Sequence, residues 1–498
     1  MPPLSKGGGP PTAVEGFLSR HDNFKGRIIM NKYIKKVLSI ILVLTFVFSL
    51  SSCGVNYDIP KKDDFSVMKN AEIIGELKGQ VAAEGSFIEI RFPEAVTFDT
   101  VVIEEKNNQI DKFSIWLEDE NGEYQSIYQQ DRIGDYRYCE IGEHTADSLK
   151  ICINSSNENQ YELKSIDVLN VKDNKNENFR VTSYLVCQWF YGNENVETEK
   201  MNTLTDIILF GVARFDENGN VYLQDIDING EMVSGDIIFK DIIEIIKTAN
   251  PNANIHCNIL GPDGVDADNK EALHSQAFVD NSEALIDNIL DLLKSYDFDG
   301  IFFDYEYPYK LESIEDYSDF LVELDSHLGD YILGAAFSHW SGNHISKKAM
   351  DALDRVEIMA YDNMTETNSH AEFASVGGVL AVGDLIKQGY DISKCDLGLP
   401  FYGRTHGGDE AWPPYANIAP DLNNDPFKNT IPKSYMNGVT GDSIVTSFNG
   451  VQMIKDKTAF ANDYGLGGVM VWHYTCDVAY ESDMSLFKAI QTSLETRN

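Results

Sequence analysis

The stretch from Ser282 to Pro308 constrains this chain most, because it joins a helical pattern to a strand and sets two acids at the strand's far end. Leu285, Ile286, Ile289, Leu292 and Leu293 share one face of a 3.6-residue period, which predicts a helix over 282–293. The next run, DFDGIFFDYEYP from Asp297 to Pro308, holds a short apolar strand. Read as extended from Ile301 to Glu306, its period of two sends Phe302, Asp304 and Glu306 to one side. Two adjacent, partly buried carboxylates repel each other, so one holds a proton while the other ionises. Cleavage of a glycosidic bond by an acid and a stabilising carboxylate needs that division. By spacing alone, a solvated acidic turn fits the same residues in so acidic a chain.

The residue types are more specific than their spacing. Asp299-Gly300-Ile301-Phe302-Phe303-Asp304-Tyr305-Glu306-Tyr307-Pro308 resembles the DGxDxDxEYP signature on strand four of glycoside hydrolase family 18, the chitinase and endo-β-N-acetylglucosaminidase family. Three later segments match in order. Val356 to Asp362 resembles the family's MxYD strand six, Leu397 to Arg404 its GLPFYGR strand seven, and Gly467 to Trp472 its GGVMxW strand eight. The resemblance covers residues 179–493 and implies a (β/α)8 TIM barrel. Alternating patterns in that region agree with a barrel. Strand candidates are Val181 to Phe190, Asp206 to Ala213, Asn254 to Leu260, Gly300 to Glu306 and Ile332 to Phe337, and Ser234 to Thr248 is a helix candidate. Active sites in this fold lie at the C-terminal strand ends, where Asp304 and Glu306 fall.

The resemblance also implies roles. Glu306 is the general acid, which protonates the leaving oxygen and later takes a proton from water. Asp304 holds the N–H of a 2-acetamido group while the acetamido oxygen attacks the anomeric carbon, a retaining, substrate-assisted route requiring N-acetylglucosamine at the cleaved bond. Two residues along one strand from Glu306, Asp304 is too near to be the separate base of an inverting reaction. Tyr361 donates its hydroxyl to the acetamido oxygen and Asp362 bonds the distorted sugar or the surroundings of Asp304. Trp472 forms the apolar floor, while Asp299, Met359, Tyr402 and Arg404 join it as substrate-binding residues. No cofactor or metal is implied; the scattered cysteines form no ligand cluster.

Three departures from the family pattern stand out. Phe302 replaces the family's middle Asp, Asn258-Ile259-Leu260-Gly261 replaces SxGG on strand three, and His473 follows Trp472 where a carboxylate is common. Phe302 removes a like charge beneath Asp304, which lowers that pKa, while its ring withholds water, which raises it. With hydrogen bonds from Tyr361 and substrate, Asp304 is expected to stay ionised. The resemblance leaves three readings open: a chitinase-like hydrolase of β-1,4-linked N-acetylglucosamine, an endo-β-N-acetylglucosaminidase of N-glycan cores, or a carbohydrate-binding surface protein without turnover.

The start of the chain bears on its compartment. Lys32, Lys35 and Lys36 precede the apolar run Val37 to Leu50, which ends at Leu50-Ser51-Ser52-Cys53. These are the parts of a signal peptide over 30–52, and LSSC before Gly54 resembles a bacterial lipobox with Cys53 as the lipidated residue. The expected product is a lipid-anchored protein on an extracytoplasmic membrane face. Residues 1–29 read as a mis-assigned upstream start and 53–74 as a tether. A formal charge of -39 argues against a nucleic-acid partner, whose phosphates demand a basic surface; the expected partner is an N-acetylglucosamine-containing oligo- or polysaccharide, and the expected state a monomer.

Between tether and barrel, short alternating runs recur without a helical period, at 86–92, 100–104, 112–117, 126–128, 136–141, 149–153 and 163–169. They predict an all-β sandwich over 75–171, similar to a discoidin-like (factor 5/8 C-terminal type) module, with Trp116 in its core. VKDNKNEN to Asn178 reads as the linker, spanning 172–178. Cys139 and Cys152 are either paired there or small buried hydrophobes, the latter favoured. Between strands seven and eight, His406 to Asn449 reads as a long loop whose Trp412, Tyr415 and Tyr435 are candidates for a wall over the cleft.

Overall fold

The computed structural model describes residues 62–497, apart from 84, 120, 135, 173, 193–195, 263–266, 307–309, 363–378, 407–410, 437, 439 and 442–443. The proposed signal peptide, Cys53 and the first part of the tether lie outside the described residues, as do Tyr307 and Pro308 of the acid motif.

Eight parallel strands form the barrel: Arg180–Val186, Asp206–Phe215, Asn254–Leu260, Gly300–Asp304, Ile332–Phe337, Arg355–Ile358, Cys395–Pro400 and Gly468–Trp472. They pair in chain order, and the first strand closes the ring by pairing with both the second and the eighth. The predicted helices appear at Gly235–Ala249 and Ser282–Tyr296, each with its isoleucine and leucine stripe turned inward. Asp297 ends the second of them in the left-handed conformation, and the chain turns directly into the fourth strand. This is the (β/α)8 fold expected from the alternation.

Several strands stop short of their predicted ends. Cys187–Phe190 is a helical turn, not strand, and the sixth strand ends at Ile358. Ala360 N–H bonds back to Ile358 O at 2.8 Å, so the MxYD segment leaves the sheet in a tight turn. Side-chain period cannot reveal this, because apolar residues at a barrel rim still face the core after the backbone has left the ladder.

The N-terminal sheet is all antiparallel, but the seven predicted runs fall on five strands, two of them much longer than predicted. Runs 86–92 and 100–104 belong to one bent strand, Ser86–Glu105, and runs 136–141 and 149–153 to another, Tyr136–Ser156. These two pair along their length through register shifts, so one folded sheet supplies both layers around a core of Ile88, Ile90, Val101, Phe113, Leu149 and Ile151. The polar residues at the bends look like turns in sequence because they alternate poorly. The sheet also begins earlier than 75: Lys62–Phe65 is a helical turn, Val67 N–H bonds Val168 O, and Glu72–Ile74 pairs with Glu89 to Arg91. Trp116 is not a core residue. Its neighbours Ile115 and Leu117 point inward while it faces out, its Nε1 donating to Ser114 Oγ at 2.7 Å and its edge meeting exposed Phe87. Cys139, Cys152, Cys187, Cys257, Cys395 and Cys476 are all free and buried.

The helix Val451–Tyr464 explains how the two regions hold together. It is buried on every side, including Gln452, Asp456, Lys457, Asn462 and Asp463, because the β region covers the face a barrel helix normally gives to water. Tyr128 Oη and Glu140 N–H donate to Asp456 at 2.6 and 2.9 Å, and Tyr138 Oη and Arg497 donate to Asp463 at 2.5 and 2.9 Å. The polar stretch after Val171 is tied down as well, since Asn176 N–H donates to Asn462 Oδ1 at 2.9 Å. The excursion between strands seven and eight is not a plain loop. It forms a three-stranded sheet from Arg404–His406, Val445–Ser447 and Thr430–Ile431, and its Asn429 and Phe427 pack on Gln130 and Tyr128 of the β region.

Burial in this seam, reinforced by nearby Arg137, lowers the Lys457 ammonium to a pKa of about 7. An unfolded lysine binds its proton up to about pH 10.4, so the unfolded state holds more protons between pH 7 and 10 and stability rises with pH there. Lys457→Met removes this dependence: thermal unfolding across pH 7 to 10 is expected to show a flatter rise in Tm than the wild type.

Candidate active site

Asp304 is the last residue of the fourth strand, and Glu306 follows two residues beyond the ladder. Tyr305 between them is buried, its ring stacked on His274 at 4.2 Å, which fixes the backbone from which both carboxyls project. The two carboxyls hydrogen-bond to each other. Burial pushes the Asp304 pKa well up, and the charge and hydrogen bond of Glu306 push it further. Glu306 is reached by solvent from the cleft, yet the cleft walls withhold enough water to raise its pKa too, with Asp362 adding to the rise and the hydrogen bond from Asp304 opposing it. Both carboxyls are thus pushed upward, and because they share a hydrogen bond they titrate as a pair. Burial works against the ionised Asp304 expected from the sequence, which counted on hydrogen bonds from Tyr361 and bound substrate.

Tyr361 and Asp362 leave the sixth strand above this pair. Gly398 on the seventh strand leaves room for the Tyr361 ring, since a Cβ there would lie 2.7 Å from its Cε1. Asp362, at φ 67°, accepts from Tyr402 Oη at 2.8 Å and from Arg404 Nη1 at 3.0 Å. Burial raises the Asp362 pKa, against the lowering effect of Arg404 and Tyr402. Trp472 lies at the end of the eighth strand, edge-on to Phe210 at 5.0 Å and tilted over Tyr184 at 5.3 Å. Met359 packs with it on the buried group Tyr184, Ile208, Phe302 and Met470, which forms the floor.

Asp299 is not brought to this cleft. It precedes the fourth strand at the opposite end of the barrel, where its carboxylate accepts from Ile255 N–H at 2.7 Å and clamps the third strand to the fourth. Of the three aromatics in the excursion, Trp412 alone joins the rim. It is exposed, stacked on Tyr402 at 5.5 Å, with the Arg404 guanidinium 3.3 Å over its ring. Tyr415 is buried against Phe448 and Tyr435 bonds Asp421.

The structure adds Trp189, which the sequence reading missed. It stands exposed just past the first strand, its ring 4.8 Å from that of His473. Its position at the C-terminal end of a barrel strand was the available signal. His473, where a carboxylate was expected, is buried and held neutral, its pKa lowered to about 4.

Residues 182–477, more than half of the chain, match the family model for glycosyl hydrolases family 18. The chain belongs to that family. Among curated relatives of this family 18 member, Endochitinase 1 of Metarhizium robertsii is 25% identical over 234 residues, 37% of this chain and 54% of the relative. Endochitinase 1 of Metarhizium anisopliae is 25% identical over 229 residues, 37% of this chain and 53% of the relative. The chain thus spans about half the length of the curated relatives it matches. Among solved structures, a family 18 chitinase of Flavobacterium johnsoniae is similar with a TM-score of 0.50 at 23% identity, covering 64% of this chain and 94% of that one. The Group IV chitinase of Ostrinia furnacalis in complex with allosamidin is similar with a TM-score of 0.51 at 19% identity, covering 64% and 100%. At these identities the likeness is one of fold.

Proposed function

We propose that this protein hydrolyses β-1,4 bonds of N-acetylglucosamine-containing glycans by a retaining, substrate-assisted route, in the manner of a chitinase. The observation that carries the reading is the hydrogen-bonded carboxyl pair of Asp304 and Glu306 at the barrel mouth, with Tyr361 beside it and Trp472 at the floor; in this reading the pair shares one proton, held by Asp304 at rest. As a sugar enters and its acetamido N–H approaches Asp304, the anion becomes favourable there and the proton passes to Glu306. Glu306 then protonates the leaving oxygen. Tyr361 directs its hydroxyl at the acetamido oxygen, and Asp362, fixed by Tyr402 and Arg404, orients the distorted ring. The rings of Trp472, Trp412 and Trp189 supply stacking faces for successive sugars. The names of the two Metarhizium relatives, both endochitinases, support the substrate class.

Reducing-end release from chitooligosaccharides, measured beside glycan release from an N-glycoprotein, tests the reading. Retained anomeric configuration and loss of rate on the deacetylated oligomer are expected. Cleavage of the glycoprotein core alone selects the endo-β-N-acetylglucosaminidase reading, and binding without cleavage of either removes enzymatic function.

The N-terminal sheet belongs to the same proposal as a discoidin-like accessory module, supported by its antiparallel architecture and the outward Trp116. Export and anchoring through Cys53 rest on the sequence pattern. Cys53→Ala is expected to shift the protein from the detergent to the aqueous phase or leave its precursor unprocessed; wild type found wholly in the aqueous phase would refute the anchor.

A further inference from the structure

Beneath the acid pair lies a carboxylic acid that the proposed reaction does not use. Glu357, on the sixth strand, is fully buried, and the register across the fourth, fifth and sixth strands runs Asp304, Ala336, Glu357. Residues in register on parallel strands face the same side, so both carboxyls look into the barrel with only a methyl group between them. Two strand spacings separate their backbones by roughly 9–10 Å. Neither oxygen of Glu357 has a hydrogen-bond partner among the described residues, and the same holds for Asp304 Oδ1 and for Oη of buried Tyr184 on the first strand. Tyr184 packs with Phe302 and Met470 inside the barrel, and the charges of both Asp304 and Glu357 act on its hydroxyl.

Burial favours the neutral form of Glu357, and the charges around it divide. Asp396 on the seventh strand is in register with it and engages Arg180 of the first strand at 2.5 Å. Asp206 of the second strand is held by His256 of the third at 2.8 Å. Burial, then Asp396, raise the Glu357 pKa well above the carboxylate range, with Asp206 adding to them; Arg180 and Arg355 oppose. Arg180, already paired to Asp396, leaves burial dominant. Phe302, two residues before Asp304, offers no donor at all.

We propose that Glu357 is a positioning residue for the acid pair: as a neutral acid it donates a hydrogen bond, relayed through Tyr184 and a bridging water, to Asp304 once Asp304 has passed its proton to Glu306. Glu357 keeps its own proton throughout. The inference rests on the roles given above to Asp304 and Glu306.

The test compares wild type with Glu357→Leu, Glu357→Gln and Tyr184→Phe, reading kcat and KM on a chromogenic chitooligosaccharide across the pH range. Carboxyl carbon NMR of Asp304 and thermal unfolding accompany it. Glu357→Leu is expected to lower kcat about tenfold, the scale of one hydrogen bond to a charged group, with KM unchanged. Its acidic limb should move to higher pH, because an Asp304 anion without its donor takes up a proton more readily. Glu357→Gln keeps a donor and should restore most of the rate; Tyr184→Phe should shift the limb in the same direction as Leu. An unshifted limb in Glu357→Leu, or a Gln variant no better than Leu, overturns the proposal. Should Glu357→Leu not fold, Tyr184→Phe decides on the same limb. Should wild type prove inactive, the failure is that of the hydrolase reading, and the Asp304 titration in Tyr184→Phe still decides this one.

Discussion

Glu306→Gln is expected to lower kcat by at least about 10²-fold, the scale of a positioned general acid, while oligosaccharide binding persists. The substitution keeps the size and polarity of the side chain and removes the proton it must give up. Asp304→Asn is expected to be comparably damaging, since an amide cannot become the anion that steadies a positively charged cyclic intermediate. Turnover on an N-acetylated oligomer, with equilibrium binding measured alongside, checks both; a mutant at near wild-type rate would show that the residue has another job. The pH profile carries a sign. Glu306 is active protonated, and after burial it is the Asp362 carboxylate that raises its pKa. Asp362→Asn removes that charge, so Glu306 loses its proton at lower pH and the alkaline limb of kcat/KM should move down.

Phe302→Asp is expected to destabilise the barrel by about 3–5 kcal/mol, the range for deleting a buried phenylalanine ring, without increasing turnover. The ring is fully buried among Tyr184, Ile208 and Met470, lies 4.9 Å from His256, and passes where any side chain on Gly334 would stand. An aspartate leaves that volume unfilled and sets a third carboxyl near Asp304, whose pKa burial already holds high. Thermal unfolding and kcat/KM across pH measure both effects. A marked gain in turnover at unchanged Tm would mean that the site is built for a carboxyl at 302. The fit between Phe302 and Gly334 argues that this barrel is packed around the ring.

What the sequence determined by itself is the barrel and its acid pair. The apolar stripe of 282–293, the strand beginning at Gly300 and the alternation of Asp304 with Tyr305 are local periodicities, and local periodicity fixes which face each side chain takes. The GLPFYGR and MxYD segments were legible through their resemblance to the family, and Tyr402, Arg404 and Asp362 meet where those strand ends converge. The tertiary structure decided what depends on partners far apart in the chain. Asp299, immediately before a strand whose other end carries the acids, belongs to the opposite end of the barrel, because strand direction separates residues that sequence places together. Trp116 alternates like a core residue and faces out, since period two gives two faces but not which of them is covered. The helix Val451–Tyr464 is buried all round, polar residues included, because a second region folds against it. The upward shift of both acids has the same kind of reason: the sign of a pKa shift is set by how much water the surrounding fold excludes, a quantity no spacing of residues contains.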